Sequence, residues 1–509
     1  MTTRVWDEKR TLVLILALAL AVRLYGIGRP LLGSNHQRET LTAENARHFY
    51  NDGMNLLMPA QDDTGAGPGY EVLEFPLLQG IAAGLYFVFG EHEVLGRLVA
   101  IAFSLGAVFY TFRLSRKFLA SGPSFVAAAV CALSPAGIYL GRSYMPDASM
   151  LCFATGAGYY FLDWLDHGGA RRFTLAAAFV ALTILAKTTA ALILLPLLFA
   201  WLGQYGWKGV VRPKAIGFAL ASLILPALWT LHADRVDAQW CPALRPLSFI
   251  AARSGDAGYR LDPIIYAKLV AYWGGFLLGP LAAVLACIGL FVKQARARGM
   301  FLHGWVLGWF IVLTVLTKQF ATHPYYMLPG LPPFAVLAGF GAAFLYEKRS
   351  WLNASRLRLG VATSVLVFFV LAQVGASAYF ACDLYDVHKR LPYHPEVARI
   401  LRERTAPGSV LILNDLNECN TTLTYYARRK AWTFQIPPGE EAVTRLEALR
   451  AQGASAYVAV DSRYYERVRE TRENTFLWEH LKLRYRTIAV SDHYVIYDLT
   501  RAPDGNPPS

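Results

Sequence analysis

Apolar residues run in blocks along the first three quarters of the chain, at 11–27, 94–112, 123–141, 148–165, 173–187, 189–206, 215–232, 271–292, 301–317, 327–346 and 359–380. A membrane-crossing helix needs about twenty mostly apolar residues, so the pattern predicts about eleven spans. A further run, 74–90, opens on Glu74-Phe75-Pro76 and is short, so the pattern alone lets it span or lie along the surface. Beyond about residue 385 the rhythm changes. Strand-like VLILN (410–414) and YVAV (457–460) flank helix-like 440–452, which predicts a small α/β domain. The fold class that follows is an all-α polytopic membrane bundle over 1–380 carrying an extracytoplasmic α/β domain over 381–500. Residues 501–509, rich in Pro and polar residues, are expected to be a disordered tail.

Positive charge decides which side each loop faces, because Lys and Arg collect in short cytoplasmic loops. The clusters are Arg113/Arg116/Lys117, Arg171/Arg172, Lys208/Arg212/Lys214, Lys293/Arg296/Arg298 and Lys348/Arg349/Arg356/Arg358. All of them fall on one side only if 74–90 does not cross. The reading is therefore a juxtamembrane helix at 74–90, a cytoplasmic N-terminus, and an outer face that gathers 28–93, 142–147, 318–326 and everything after about 381. The opening, Met1 to Arg10 followed by TLVLILALALAV, has the layout of a secretory signal. Arg23 and Arg29 follow without a convincing cleavage site, so an uncleaved first helix is expected.

Composition agrees. The chain is 55% hydrophobic with a mean hydropathy of +0.33, and 17% of its residues are charged, against roughly 25% in an ordinary soluble domain. The net charge of +13 does not signal nucleic acid, since the basic residues sit in short clusters between apolar runs. Six cysteines, Cys131, Cys152, Cys241, Cys287, Cys382 and Cys419, show no metal-binding spacing. Cys241, Cys382 and Cys419 fall on the outer side, where one disulfide is permitted but spacing does not choose the pair.

Unusual polar residues concentrate on that outer side. In SNHQRETLTAENARHFY, 34–50, the side chains of His36, Arg38, Glu39, Glu44, Arg47 and His48 crowd a short helix starting near Thr40. A solvated interfacial helix alone would explain any one of them. Glu74 heads an apolar run, where a carboxylate also simply favours a helix N-terminus. Arg142 and Asp147 in GRSYMPDAS stand as a charge pair at the outer junction of two spans, as a site or as a topological anchor. Lys187 closes one span, and Lys318, His323, Tyr325 and Tyr326 follow another; snorkelling lysines and interfacial tyrosines are the plain alternative for these.

The ordered series RE-TLTAENARHFY, EFPLLQ, GEHEVLGRLVA, SPAGIYLGRSYMPDA, KTT and KQFATHPYYMLPGLPPF resembles the GT-C glycosyltransferases of the lipid-carrier-dependent type. These include family 39/83-like enzymes, aminoarabinose transferases of lipid A and protein O-mannosyltransferases. The resemblance covers about residues 10–350. It implies a bundle whose first outer loop forms juxtamembrane helices, a polyprenyl-phosphate sugar donor, and catalysis on the outer face of a bacterial inner membrane. An Asp-Glu pair opens the first loop in many members; here Arg38 and Glu39 hold the matching positions. The metal contact of some relatives depends on that Asp, so that contact is not carried over; no cofactor is certain, and a divalent metal stays open.

The chemistry that follows is inverting displacement at the anomeric carbon. A carboxylate, Glu39 or Asp147, would activate an acceptor hydroxyl, with Glu74 orienting the acceptor. Arg38, Arg142, Lys187 and Lys318 would hold the lipid phosphate, and His323, Tyr325 and Tyr326 would face the sugar. The acceptor stays open between a cell-envelope glycan, a lipid and a protein. The competing class is a transporter or flippase for a lipid-linked sugar, against which stands the lack of an internal repeat.

Overall fold

The protein is described from a computed structural model, covering residues 7–240, 254–292, 299–352, 355–386, 389–414, 421–463 and 465–504. Cys241, Cys419, the cluster Lys293/Arg296/Arg298 and most of the expected tail lie outside these residues. Cys131, Cys152, Cys287 and Cys382 are free thiols. The chain divides into two compact units. The first comprises Met1–Ile27, Leu73–Leu78 and Val94–Asp383, and the second Gly28–Val72, Gln79–Glu93 and Leu384–Ser509.

Among the described residues the first unit is built of helices. Among the described residues five helices are long and apolar enough to cross a membrane: Glu93–Ser115, Thr188–Tyr205, Pro213–Trp240, Pro324–Glu347 and Arg356–Leu384. A sixth is added if Pro263–Leu278 and Pro280–Phe291, bent by 105°, count as one span. The eleven spans read from hydropathy thus shrink to five or six, for local reasons. The run 123–141 is cut at Ser134-Pro135, where proline has no N–H to give, into Ser121–Leu133 and a five-residue helix, Pro135–Tyr139. The runs at 11–27 and 173–187 fold as 17-residue helices, Glu8–Leu24 and Ala170–Ala186. Asp147–His167 is long enough, but Asp147, Asp163 and Asp166 interrupt its apolar character. The ambiguous run 74–90 becomes the helix Leu77–Phe89, whose 13 residues reach only about 20 Å.

Glycine lets two of these helices touch backbone to backbone. A Cβ on Gly289 of Pro280–Phe291 would lie 1.8 Å from the Leu337 carbonyl oxygen, and one on Gly341 of Leu331–Glu347 would lie 2.0 Å from that of Leu285. Close approach through small residues is how helices associate where lipid offers no hydrophobic drive.

At the C-terminal end of the first helix a buried cation ties three neighbours together. Arg23, fully buried, donates through Nε to Ser104 Oγ at 2.9 Å, through Nη1 to the Ala19 and Ala132 carbonyls at 2.9 Å, and through Nη2 to the Gly137 carbonyl at 2.6 Å. Ala132 lies where the Ser134-Pro135 break ends a helix, so its carbonyl needs a donor from outside that helix.

The second unit is built on a five-stranded sheet of order β2-β1-β3-β5-β4, with β1 Val410–Asn414, β2 Lys430–Phe434, β3 Ala454–Val460, β4 Arg486–Val490 and β5 Tyr494–Asp498. Strands β2, β1 and β3 are parallel, and β5 closes antiparallel on both β3 and β4. Period-two alternation makes both faces apolar. Leu411 and Leu413 pack with Val397, Leu401 and Leu423, while Ile412 and Tyr457 pack with Leu446, Leu477 and Leu481. Helices thus cover both sides, as a parallel sheet requires. The two strands read in the sequence are β1 and the end of β3, and 440–452 is the helix Glu441–Ala451.

The helix His36–Asn51 belongs to this second unit and packs on the helix Thr421–Ala427. Hydroxyls line their contact: His36 Nδ1 lies 2.8 Å from Thr422 Oγ1, and Thr40 Oγ1 lies 3.0 Å from Thr421 Oγ1.

Candidate active site

In the first unit, four of the residues expected to carry chemistry meet. Asp147 is the first residue of the helix Asp147–His167 and fully buried; the N-terminal end of a helix favours a carboxylate there. Its Oδ1 lies 2.5 Å from Lys187 Nζ. Its Oδ2 is buried and has no hydrogen-bond partner among the described residues. Lys187 ends the helix Ala170–Ala186 in extended conformation, φ −164° and ψ 116°, and is itself buried. Tyr325 and Tyr326 shelter the same ammonium, with ring centroids at 4.6 and 4.4 Å. The aromatic faces supply the negative potential that a desolvated cation requires.

Glu74 is half-buried. The backbone beside it is fixed by Phe75 N donating to the Leu185 carbonyl at 2.9 Å, and by Trp229 Nε1 donating to the Leu73 carbonyl at 3.2 Å. Leu185 precedes Lys187 by two residues, so the Glu74 segment is tied to the helix end that presents the lysine.

The remaining first-unit candidates stand differently. Arg142 is buried and donates to the Tyr25 carbonyl at the end of the first helix, while Arg97 donates to the Ile27 carbonyl at 2.7 Å. The expected Arg142–Asp147 charge pair is therefore replaced: Lys187 is the ion-pair partner of Asp147 among the described residues. Lys318 is exposed on the short helix Thr317–Thr322, and among the described residues it has no ion-pair partner. His323 is exposed, with its ring 5.5 Å from that of Tyr325.

In the second unit, Glu39 is buried and Arg38 half-buried on His36–Asn51. Further along that helix, Glu44, Arg47 and His48 are absorbed by a network that sequence reading did not assemble. Arg47 Nη2 lies 3.2 Å from both Glu44 Oε1 and Asp62 Oδ2, and its Nη1 donates to the Tyr425 carbonyl at 2.8 Å. Glu44 Oε2 accepts the Asp62 N–H at 3.0 Å, and His48 reaches Asp62 at 3.0 Å and Asp52 at 2.6 Å. Burial, with the Asp62 charge beside it, holds the Glu44 carboxyl well above the usual carboxylate range. Burial works against charge on His48, but the hydrogen bonds and charges of Asp62 and Asp52 outweigh it and raise its pKa. Asp63, buried with both oxygens unpartnered, is pushed up to about 7 by burial and by Asp62. The acidic pair in PAQDDTG was the signal available; its partners lie too far away in sequence to be read from it. Among the described residues no group of three or more His, Cys, Asp or Glu is placed to hold a metal ion.

The helical bundle and the small α/β domain make up a fold that this chain shares with proteins of known structure. ArnT from Cupriavidus metallidurans, in a crystal structure bound to undecaprenyl phosphate, superposes with a TM-score of 0.61 at 14% identity, covering 95% of this chain and 97% of that one. The oligosaccharyltransferase AglB from Archaeoglobus fulgidus, in complex with an inhibitory peptide and a dolichol-phosphate, gives 0.62 at 13% identity, covering 95% of this chain and 73% of that one. A further structure of the Archaeoglobus fulgidus oligosaccharyltransferase, complexed with zinc and sulfate, gives 0.61 at 14% identity, covering 96% and 73%. The family described as dolichyl-phosphate-mannose-protein mannosyltransferase matches residues 75–230. No curated protein matches the sequence.

Proposed function

We propose that this chain is a GT-C glycosyltransferase that moves a sugar from a polyprenyl-phosphate donor to an acceptor hydroxyl on a cell-envelope glycan, lipid or protein, at the outer face of a bacterial inner membrane. The observation that carries the reading is the Asp147 carboxylate, buried, held by Lys187 through one oxygen and free at the other. A general base needs a placed carboxylate with one oxygen open to the proton it takes. The fold shared with a structure that holds undecaprenyl phosphate supports the choice of donor.

In the proposed reaction the acceptor oxygen bonds to the anomeric carbon as the carbon–phosphate oxygen bond breaks. The bonding pair leaves with the lipid phosphate, the acceptor proton passes to Asp147 Oδ2, and the anomeric centre inverts. Lys187 fixes the Asp147 carboxylate, and Tyr325 and Tyr326 hold Lys187 in turn. Glu74 orients the acceptor, while Arg38, Arg142, Lys318 and His323 meet the donor phosphate and sugar.

The test is turnover of a defined undecaprenyl-phosphate sugar by purified protein, with a chelator arm: turnover lost with EDTA and restored by a divalent ion would add a metal to the reaction. Two substitutions in the same assay separate the roles at the departure from the family pattern. Glu39→Gln, if Glu39 shares the acid–base work, lowers kcat about a hundredfold at unchanged donor affinity. Arg38→Gln raises the donor KM about tenfold with kcat largely kept, because a guanidinium holds phosphate but takes no proton. A normal kcat in Glu39→Gln would remove Glu39 from the chemistry and leave Asp147 alone as base.

We further propose eleven membrane passes, with the shorter helices Glu8–Leu24, Ser121–Leu133, Asp147–His167, Ala170–Ala186 and Gly299–Val315 crossing beside the longer ones. Residues 1–380 then form the transmembrane part, and 381–500 an extracytoplasmic domain. The grouping of Lys and Arg supports it. A reporter active only outside the cytoplasm should work when fused after residue 381 and fail at Lys117; the reverse pattern would put the Asp147 group on the wrong face.

A further inference from the structure

In the α/β domain a cleft of about 660 Å³ opens at the carboxyl end of β3, within the range of about 300–1,000 Å³ of small-ligand sites. The chain runs from β1 to β2 and then crosses β1 to reach β3. Ligands of open α/β sheets gather outside the carboxyl ends of the strands at such a reversal.

Four basic and four acidic side chains line the cleft, so it carries no excess charge for an anion. One of its cations is already paired: Arg469 lies 3.2 Å from Glu466 and 2.7 Å from Glu473. Asp461, buried just after β3, accepts the Val468 N–H at 2.9 Å and lies 3.4 Å from His493 Nδ1, which holds the floor rigid. On one wall the rings of Tyr393 and His493 stack at 4.2 Å and 10°, with the His493 side chain half exposed. Arg463 and Asp492 stand exposed at the cleft, a donor fork and an acceptor.

The geometry points to a binding site for a neutral saccharide. Each sugar hydroxyl is both donor and acceptor and so needs guanidinium and carboxylate together, while the C–H face of the ring needs an aromatic wall. The site binds the acceptor glycan, an assignment that rests on the transferase reading and narrows its acceptor from glycan, lipid or protein to glycan.

The test uses the full-length chain in nanodiscs and short neutral oligosaccharides of hexose and heptose, followed by saturation-transfer NMR. Sugar ring protons should receive saturation from the wild type. Asp492→Asn and, separately, His493→Ala should weaken binding about tenfold, leaving the affinity for undecaprenyl phosphate unchanged. The same substitutions should raise the KM for a glycan acceptor by a similar factor. No saturation transfer from the wild type, unaltered affinity in both variants, or displacement of the sugar by inorganic phosphate would each overturn the assignment. A wild-type chain that binds the sugars but transfers nothing from an undecaprenyl-phosphate donor would instead sink the transferase reading.

Discussion

Asp147→Asn is expected to lower sugar transfer about a thousandfold, the scale of losing a placed general base, in protein that reaches the membrane and melts normally. The amide keeps the size of the carboxylate but does not take the acceptor proton. Lys187→Gln should also be severely impaired, because the Asp147 carboxylate loses the 2.5 Å contact that fixes it. The double variant should be no worse than Asp147→Asn alone, since groups acting as a unit are not additive. Initial rates with a defined undecaprenyl-phosphate sugar measure all three. Wild-type turnover in Asp147→Asn would reduce the Asp147–Lys187 pair to an anchor between helices.

The largest expected loss of stability comes from Arg23→Met. The substitution keeps a long side chain but removes the donors to the Ala19, Ala132 and Gly137 carbonyls and to Ser104. With four acceptors affected and about 1–3 kcal/mol for each one left unsatisfied, a loss of roughly 4 kcal/mol or more is expected. Thermal unfolding in detergent should show a clear drop in Tm. Arg23→Lys should recover only part of it, because one ammonium does not reach carbonyls on three helices. An unchanged Tm for Arg23→Met would mean that water replaces the guanidinium there.

The sequence carried more about chemistry-bearing segments than about helix lengths. Asp147, Lys187, Tyr325 and Tyr326 were each singled out alone, and the structure joins all four. Their partnership was not readable, because it depends on how helices 40 or more residues apart in sequence face one another. Arg142 was paired with Asp147 on proximity in sequence, whereas its donation to Tyr25 spans 117 residues. Hydropathy found the apolar runs but not their breaks: a window average passes over Ser134-Pro135, where one proline ends a helix. In the sheet, alternation and flanking turns located β1 and β3, whereas β4 and β5, a hairpin whose outer strand is largely exposed, gave no comparable signal.

The docking of His36–Asn51 on Thr421–Ala427 joins side chains 386 positions apart, such as His36 and Thr422. During synthesis the loop that bears Arg38 and Glu39 leaves the ribosome long before the partner that completes its packing. Until the last quarter of the chain has been made, the imidazole of His36 and the hydroxyl of Thr40 lack the Thr422 and Thr421 hydroxyls that they meet in the folded protein. Assembly of this first loop is therefore timed by the far end of the polypeptide. A nascent chain stalled before about residue 420 would be inserted in the membrane yet carry an unfinished first loop, open to proteases until elongation resumes.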